Sequence, residues 1–173
     1  MTGVQTCALP ILEAGASQAV RVQYTGTVGA DQEQAFRIIA EQLPIDFSGG
    51  EHRTGINVLF RYEGSVYVRP EGTVSEIILA ETSRRFDEDR FLGLLVRFEN
   101  RGTAHGIMDD LTITLTRSNG DDEADVLTYR EDDLDVVGGT NVLAGRAVEE
   151  LIDLPDSWRS GEIDVQYDVE IVE

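Results

Sequence analysis

Strict alternation of apolar and polar residues, repeated in segment after segment, is what most limits the folds open to this chain. In LTITLT (residues 111–116) Leu111, Ile113 and Leu115 point one way and Thr112, Thr114 and Thr116 the other. The final EIDVQYDVEI repeats the pattern, with Ile163, Val165, Tyr167, Val169 and Ile171 set against Asp164, Gln166, Asp168 and Glu170. A period of two is the signature of a strand with one face on a core and the other in water. AVRVQYT from Ala19, QAFRIIAE from Gln34 and FLGLLVRFEN from Phe91 read the same way. Only AGRAVEELI offers a helix-like spacing, and residues 142–154 fit an extended segment ending at Pro155 almost as well. Short strands separated by turn signals predict an all-β protein of the sandwich type.

A boundary falls at RPEGTVSE. Pro70 removes a ladder donor and Gly72 permits a turn, so one strand ends there and another is expected to begin near Val74. Residues 73–173 have the roughly 100 residues and about seven strands of a complete immunoglobulin-like domain. Residues 12–72 have room for about three strands, too few to close a sandwich. The expected fold is therefore two immunoglobulin-like β-sandwich domains, the first incomplete at its N-terminus. The opening MTGVQTCALPI, residues 1–11, agrees with that reading. It carries the chain's one cysteine, Cys7, follows neither strand nor helix period, and lacks the charged and apolar regions of a secretory signal. It reads as the translation of a sequencing-library adapter, so the native chain is expected to begin near Leu12, without its true N-terminus.

Charge and motifs narrow the function. Fourteen basic against 33 acidic side chains give a net charge of -19, which argues against nucleic acid and anionic membranes as partners. A solvated acidic surface, common in salt-adapted organisms, accounts for that balance more simply than a docking face for basic partners. No apolar run approaches the roughly 18 residues of a membrane span, so no membrane insertion is expected. With Cys7 set aside, thiol chemistry is absent. His52 in SGGEHRTG and His105 in NRGTAHG occupy loop-like settings, where an exposed histidine is usual. There is no GxSxG, no HExxH and no paired CxxC, and FSGGEHRTG lacks the spacing and the Lys-Ser/Thr ending of a phosphate loop. The acidic runs NGDDEAD and REDDLD sit between strand signals, without the central Gly and terminal Glu of a calcium loop, and read as solvated loops. No catalytic residue, metal or cofactor is expected, and the chain does not read as an enzyme.

GINVLFRYEGSVYVRP (residues 55–70) stands apart. Every even position from Ile56 is apolar or glycine, namely Ile56, Val58, Phe60, Tyr62, Gly64, Val66 and Val68, while Asn57, Arg61, Glu63, Ser65 and Arg69 take odd ones. Unbroken, the segment makes a strand of over ~40 Å at about 3.3 Å per residue. Such a strand is either a long core strand with a bulge at Gly64 or an open edge that another chain completes by β-augmentation.

GASQAVRVQYTG, QEQAFRIIAEQLP, INVLFRYEGSVYVRPEG, LLVRFENRGTAHGIMDDLTITL and NVLAGRAVEELIDLP, in that order, resemble the PapD-like periplasmic chaperones of the chaperone-usher pathway. The resemblance spans essentially everything from Leu12 onward. It implies a two-domain boomerang in which residues 12–72 form the last part of the first immunoglobulin-like domain and 73–173 the second. It further implies a periplasmic protein, its signal peptide lost with the missing N-terminus, that lends a β-strand to pilus or fimbrial subunits and passes them to an outer-membrane usher. The lent strand would be residues 55–68, with Ile56, Val58, Phe60 and Tyr62 entering the subunit groove and no cofactor required. The chain departs from the best-known members at the cations that hold the subunit's C-terminal carboxylate. The family's N-terminal Arg would lie in the absent segment, and its late-strand Lys position falls near Ser65. Arg69 matches a family cleft arginine and Arg61 is a second candidate cation, which marks a divergent branch. Two other classes stay open at this point: an exported adhesin or fibre protein of similar sandwiches, and a calcium- or carbohydrate-binding β-sandwich module.

Overall fold

The computed structural model describes residues 15–26, 31–43, 58–118 and 124–173. Nine strands carry the fold: β1 (Gln34–Glu41), β2 (Arg61–Val68), β3 (Ile77–Asp87), β4 (Arg90–Asn100), β5 (Gly106–Ser118), β6 (Asp125–Arg130), β7 (Asn141–Val142), β8 (Ala147–Asp153) and β9 (Glu162–Val172). Two short 3-10 turns, Glu131–Asp133 and Asp156–Arg159, complete the regular structure among the described residues. The protein is all-β, as the period-two pattern requires.

β1 and β2 form an antiparallel two-stranded sheet in continuous register from Gln34 opposite Val68 to Glu41 opposite Arg61. The remaining strands make two antiparallel sheets packed face to face. One has the order β3-β4-β8. In the other, β5 is central: β9 runs along one edge, and β6 and the two-residue β7 share the opposite edge.

The core lies between these sheets. Val96 and Phe98 of β4 meet Met108, Leu111, Ile113 and Leu115 of β5, all fully buried. Phe98 and Tyr167 of β9 touch edge to face with centroids 5.4 Å apart, and the Tyr167 hydroxyl accepts from the Leu79 N–H at 3.4 Å. Trp158, on the second 3-10 turn, closes one end of the core beneath the Arg117 guanidinium, and the Arg84 Nε donates to its carbonyl at 3.1 Å.

Burial in β5 switches parity part-way along. Gly106 and Met108 face inward, and so do Leu111, Ile113 and Leu115. An irregularity between Asp109 and Thr112 absorbs the change, with Asp110 at a φ of 51° and both aspartates exposed. One extra residue in a strand does this, resetting which side chains face the core. Gly93 in β4 is equally dictated by the backbone: its φ is 149°, and a Cβ there would lie 2.1 Å from the Ile152 carbonyl oxygen.

Several expected elements differ. AVRVQYT forms no strand among the described residues; Tyr24 instead packs on Phe36 and its hydroxyl donates to Gln34 Oε1 at 3.3 Å. The strand expected near Val74 begins at Ile77, because the Val74 carbonyl is held by the N–H groups of Thr103 and Ala104 at 2.8 and 3.0 Å. Residues 142–154 are extended, split into β7 and β8 by a turn in which Gly145 has a φ of 68°. Residues 1–14, including the adapter-like opening, lie outside the described residues, as does His52.

A buried asparagine ties the sandwich to its loops. Asn100, at the end of β4, donates to the carbonyls of Ala104 and Val142 at 2.9 and 2.8 Å and accepts from the N–H groups of Gly102 and Glu76 at 2.9 and 3.2 Å. Replacement by Ala or Leu removes the side-chain partner of these four backbone groups, of which the Ala104 and Val142 carbonyls are bonded in a buried site. Asn100→Ala and Asn100→Leu are each expected to cost about 2–4 kcal/mol in urea unfolding, since a buried unpaired polar group costs about 1–3 kcal/mol; a loss below about 0.5 kcal/mol would show that the groups find other partners.

Candidate functional site

The alternation in β1 and β2 sorts their side chains onto two unlike faces. Phe36, Ile38 and Ala40 share one face with Tyr62, Gly64 and Val66, to which they are directly opposite in the register. Arg37, Ile39 and Glu41 share the other with Arg61, Glu63 and Ser65. On that second face Arg37 bonds Glu63 at 2.7 Å and Arg61 reaches the same carboxylate at 3.0 Å. The first face is apolar and open to solvent, with Tyr62 66% and Phe36 42% exposed.

One edge of β2 is filled by β1. The other has no backbone partner among the described residues. Ahead of the ladder, residues 58–60 stay close to β1, the Gln42 N–H donating to the Phe60 carbonyl at 2.8 Å. Val58, Phe60 and Tyr62 are all more than half exposed, and the rings of Phe60 and Tyr62 stack with centroids 6.2 Å apart and planes at 17°. Of the candidate strand residues, three are thus brought to one accessible edge, while Ile56 lies outside the described residues. The ladder covers Arg61–Val68 with residues 58–60 leading into it, while 55–57 of the expected strand lie outside the described residues.

The C-terminal end of β2 is fixed by a polar clasp to the sandwich. Glu33, one residue before β1, is almost wholly buried at its side chain. Its carboxylate accepts from the Arg69 Nε at 2.8 Å, from the His105 backbone N–H at 3.1 Å and from the His105 ring at 2.6 Å. The contact to Nδ1 is short and to a carboxylate, so Nδ1 carries the proton and donates. Arg69 also gives its Nη1 to Glu173 at 2.9 Å, and Glu173 in turn accepts from the Ser75 N–H at 3.0 Å. Tyr67 stacks on the His105 ring with centroids 3.8 Å apart and receives a bond from Asn141 Nδ2 at 2.6 Å. The Glu33 N–H donates to the Thr103 carbonyl at 2.8 Å.

Chain order hides this cluster, since Glu33 and His105 are 72 residues apart. His105 sits in the loop before β5, as its surroundings suggest, yet it is buried rather than exposed. The two candidate cations have different settings. Arg69 spends its donors on Glu33, Glu173 and the His105 carbonyl. Arg61 remains more than half exposed and shares Glu63 with Arg37, so it is the one of the pair with donors to offer an incoming carboxylate. Among the described residues no three His, Cys, Asp or Glu side chains converge as a metal site requires. No family model, curated protein or solved structure matches the chain.

Burial works to raise the Glu33 carboxyl, but the hydrogen bonds from Arg69 and His105 outweigh it and hold the group below the ordinary glutamate range. A depressed folded-state value means the clasp stabilises the fold at pH above the unfolded glutamate value and is lost as pH falls through the folded one. Glu33→Gln is therefore expected to melt about 2–4 °C below the parent chain at neutral pH. The gap should hold down to the ordinary glutamate range and close below it; a gap independent of pH would show that the carboxylate charge is not what the clasp uses.

Proposed function

We propose that this chain is a periplasmic chaperone of the chaperone-usher type, built from two immunoglobulin-like domains divided near residue 72. It lends the strand 55–68 to a pilus or fimbrial subunit and hands the subunit to an outer-membrane usher. The observation that carries the reading is the edge of β2 that has no partner among the described residues, beside an exposed apolar face. A subunit that lacks one strand of its own sandwich has an open edge and a hydrophobic groove, and β2 offers a backbone ladder for the first and apolar side chains for the second.

The energetics suit a transient holder. Burying Val58, Phe60 and Tyr62 supplies on the order of 5–9 kcal/mol before the ordering of both partners is deducted. What remains is enough to protect a subunit and small enough to yield to another strand. The clasp at Tyr67 and Arg69 gives the lent strand a fixed root on the sandwich, so its other end can be presented at a defined angle. Arg61 is the candidate for the subunit's terminal carboxylate. The alternative of a sugar-binding module is less well served, since Trp158, the one tryptophan in the sequence, is 3% exposed and serves the core.

Phe60→Asp and Tyr62→Asp place a charge where a groove would desolvate it, and both positions are exposed in the free chain. Each variant, and likewise Ile56→Asp and Val58→Asp, is expected to lower recovery of a co-expressed usher-pathway pilus subunit by about tenfold or more, with the melting temperature of the chain itself unchanged. Undiminished recovery with all four would exclude the strand 55–68 as the binding element.

A further inference from the structure

Gly64 lies in the middle of β2, where glycine ordinarily weakens a strand. The backbone does not demand it. Its φ is outside the left-handed region, and a Cβ placed there would meet no atom within 4 Å, in contrast to Gly93. A β-branched residue at this position would lower the conformational entropy of the unfolded chain and suit the pleated face, so folding by itself would select against glycine.

What glycine creates is a gap in the apolar face. Tyr62 and Val66 flank it along β2, and Ile38, 38% exposed, stands directly opposite on β1. A strand added to the free edge of β2 would set one of its own residues directly beside Gly64, with Cβ positions about 4.5–5.5 Å apart across a strand pair. A large side chain from there can lie over the glycine and reach Ile38, as aromatic residues do when they cover glycine in sheets.

Charge identifies the kind of chain that would bring it. Residues 73–173 hold 25 acidic and nine basic side chains, against eight and five in residues 1–72. A second copy approaching β2 meets strong like-charge repulsion, whereas a basic polypeptide is drawn toward it. Resting on the strand-lending reading above, we infer that Gly64 is a receiving notch for a large apolar side chain carried on an edge strand of a cationic partner.

The test uses a fluorescein-labelled peptide of about ten residues that alternates Val and Lys, with one central Val replaced by Phe. Two relatives carry Ala in place of the Phe, or Glu in place of every Lys. Each is titrated by fluorescence anisotropy against the full chain and its Gly64→Val variant. The Phe peptide is expected to bind the parent chain about tenfold more tightly than the Ala peptide, and no more than about twofold more tightly once Val fills the notch. The variant should melt at the same temperature or higher, which separates the loss of preference from loss of fold. The Glu peptide should bind about tenfold more weakly at low salt, with the difference shrinking as salt is raised. An equal Phe preference in both proteins would overturn the notch while leaving strand lending intact. Equal binding of the Lys and Glu peptides would overturn the cationic partner. Failure of every peptide to bind the parent chain would overturn the notch together with the open-edge reading on which it rests.

Discussion

The arrangement of the chain depends on one carboxylate. Glu33 gathers Arg69 and both the ring and backbone of His105, and through Arg69 it reaches Glu173. These four residues come from the approach to β1, the exit of β2, the entrance of β5 and the end of β9, so a single cluster gathers the ends of the hairpin and of the sandwich. Burying a carboxylate is expensive unless its lone pairs are filled by charged and backbone donors, and here they are. Tyr67 adds an apolar cover by stacking on the imidazole. The hairpin buries little apolar surface of its own, with Phe36, Ile39, Phe60 and Tyr62 all exposed, so its attachment rests on this polar clasp far more than on hydrophobic contact.

The sandwich is held in the opposite way. Its centre is apolar, and two of its buried polar groups, Asn100 and Glu150, bind backbone. Glu150 accepts from the N–H groups of Asp135, Val136 and Val137 at 2.9–3.0 Å, fixing the loop that follows β6 as Asn100 fixes the loop after β4. Such side chains replace ladder bonds where the strands run out. A packed sandwich and a polar root for the hairpin together leave β2 anchored at one end, with one edge unpartnered among the described residues.

Sequence pattern revealed the strands wherever one face is buried, and failed where pairing is decided by distant groups. β5 and β9 were legible because apolar residues around Ile113 and Val165 recur at every second position with polar neighbours between, and β4 because its run from Phe91 to Phe98 is largely apolar. AVRVQYT has the same period but finds no partner strand among the described residues, and periodicity cannot report pairing. Val74 looked like a strand start, yet its carbonyl serves the loop at Thr103 and Ala104. Asp109 and Asp110 hide a change of facing that alternation alone would have read as a break. The common face of Phe60 and Tyr62 was legible from their period-two spacing, and both rings are accessible. His105 and Glu33 were not, because a loop histidine looks exposed until the element that buries it is known.

Free strand edges explain why the charge is distributed as it is. β9 borders solvent on one edge and carries Glu162, Asp164, Asp168 and Glu170 on its exposed face, while β3 is broken by an irregularity between Leu79 and Glu81; both devices discourage another strand from pairing there. β2 keeps an unbroken register and confines its charges, Arg61 and Glu63, to one face, leaving the other uncharged from Tyr62 to Val68. A strand so exposed would pair with its own kind at high concentration, were it not joined to a sandwich carrying most of the net charge of -19. Repulsion between copies then does at long range what gatekeeper residues do locally on β3 and β9, and it does so without placing a charge on the apolar face of β2. Under the strand-lending proposal, the acidity of the sandwich and the uncharged face of β2 serve one end: an edge offered to a different chain and denied to its own.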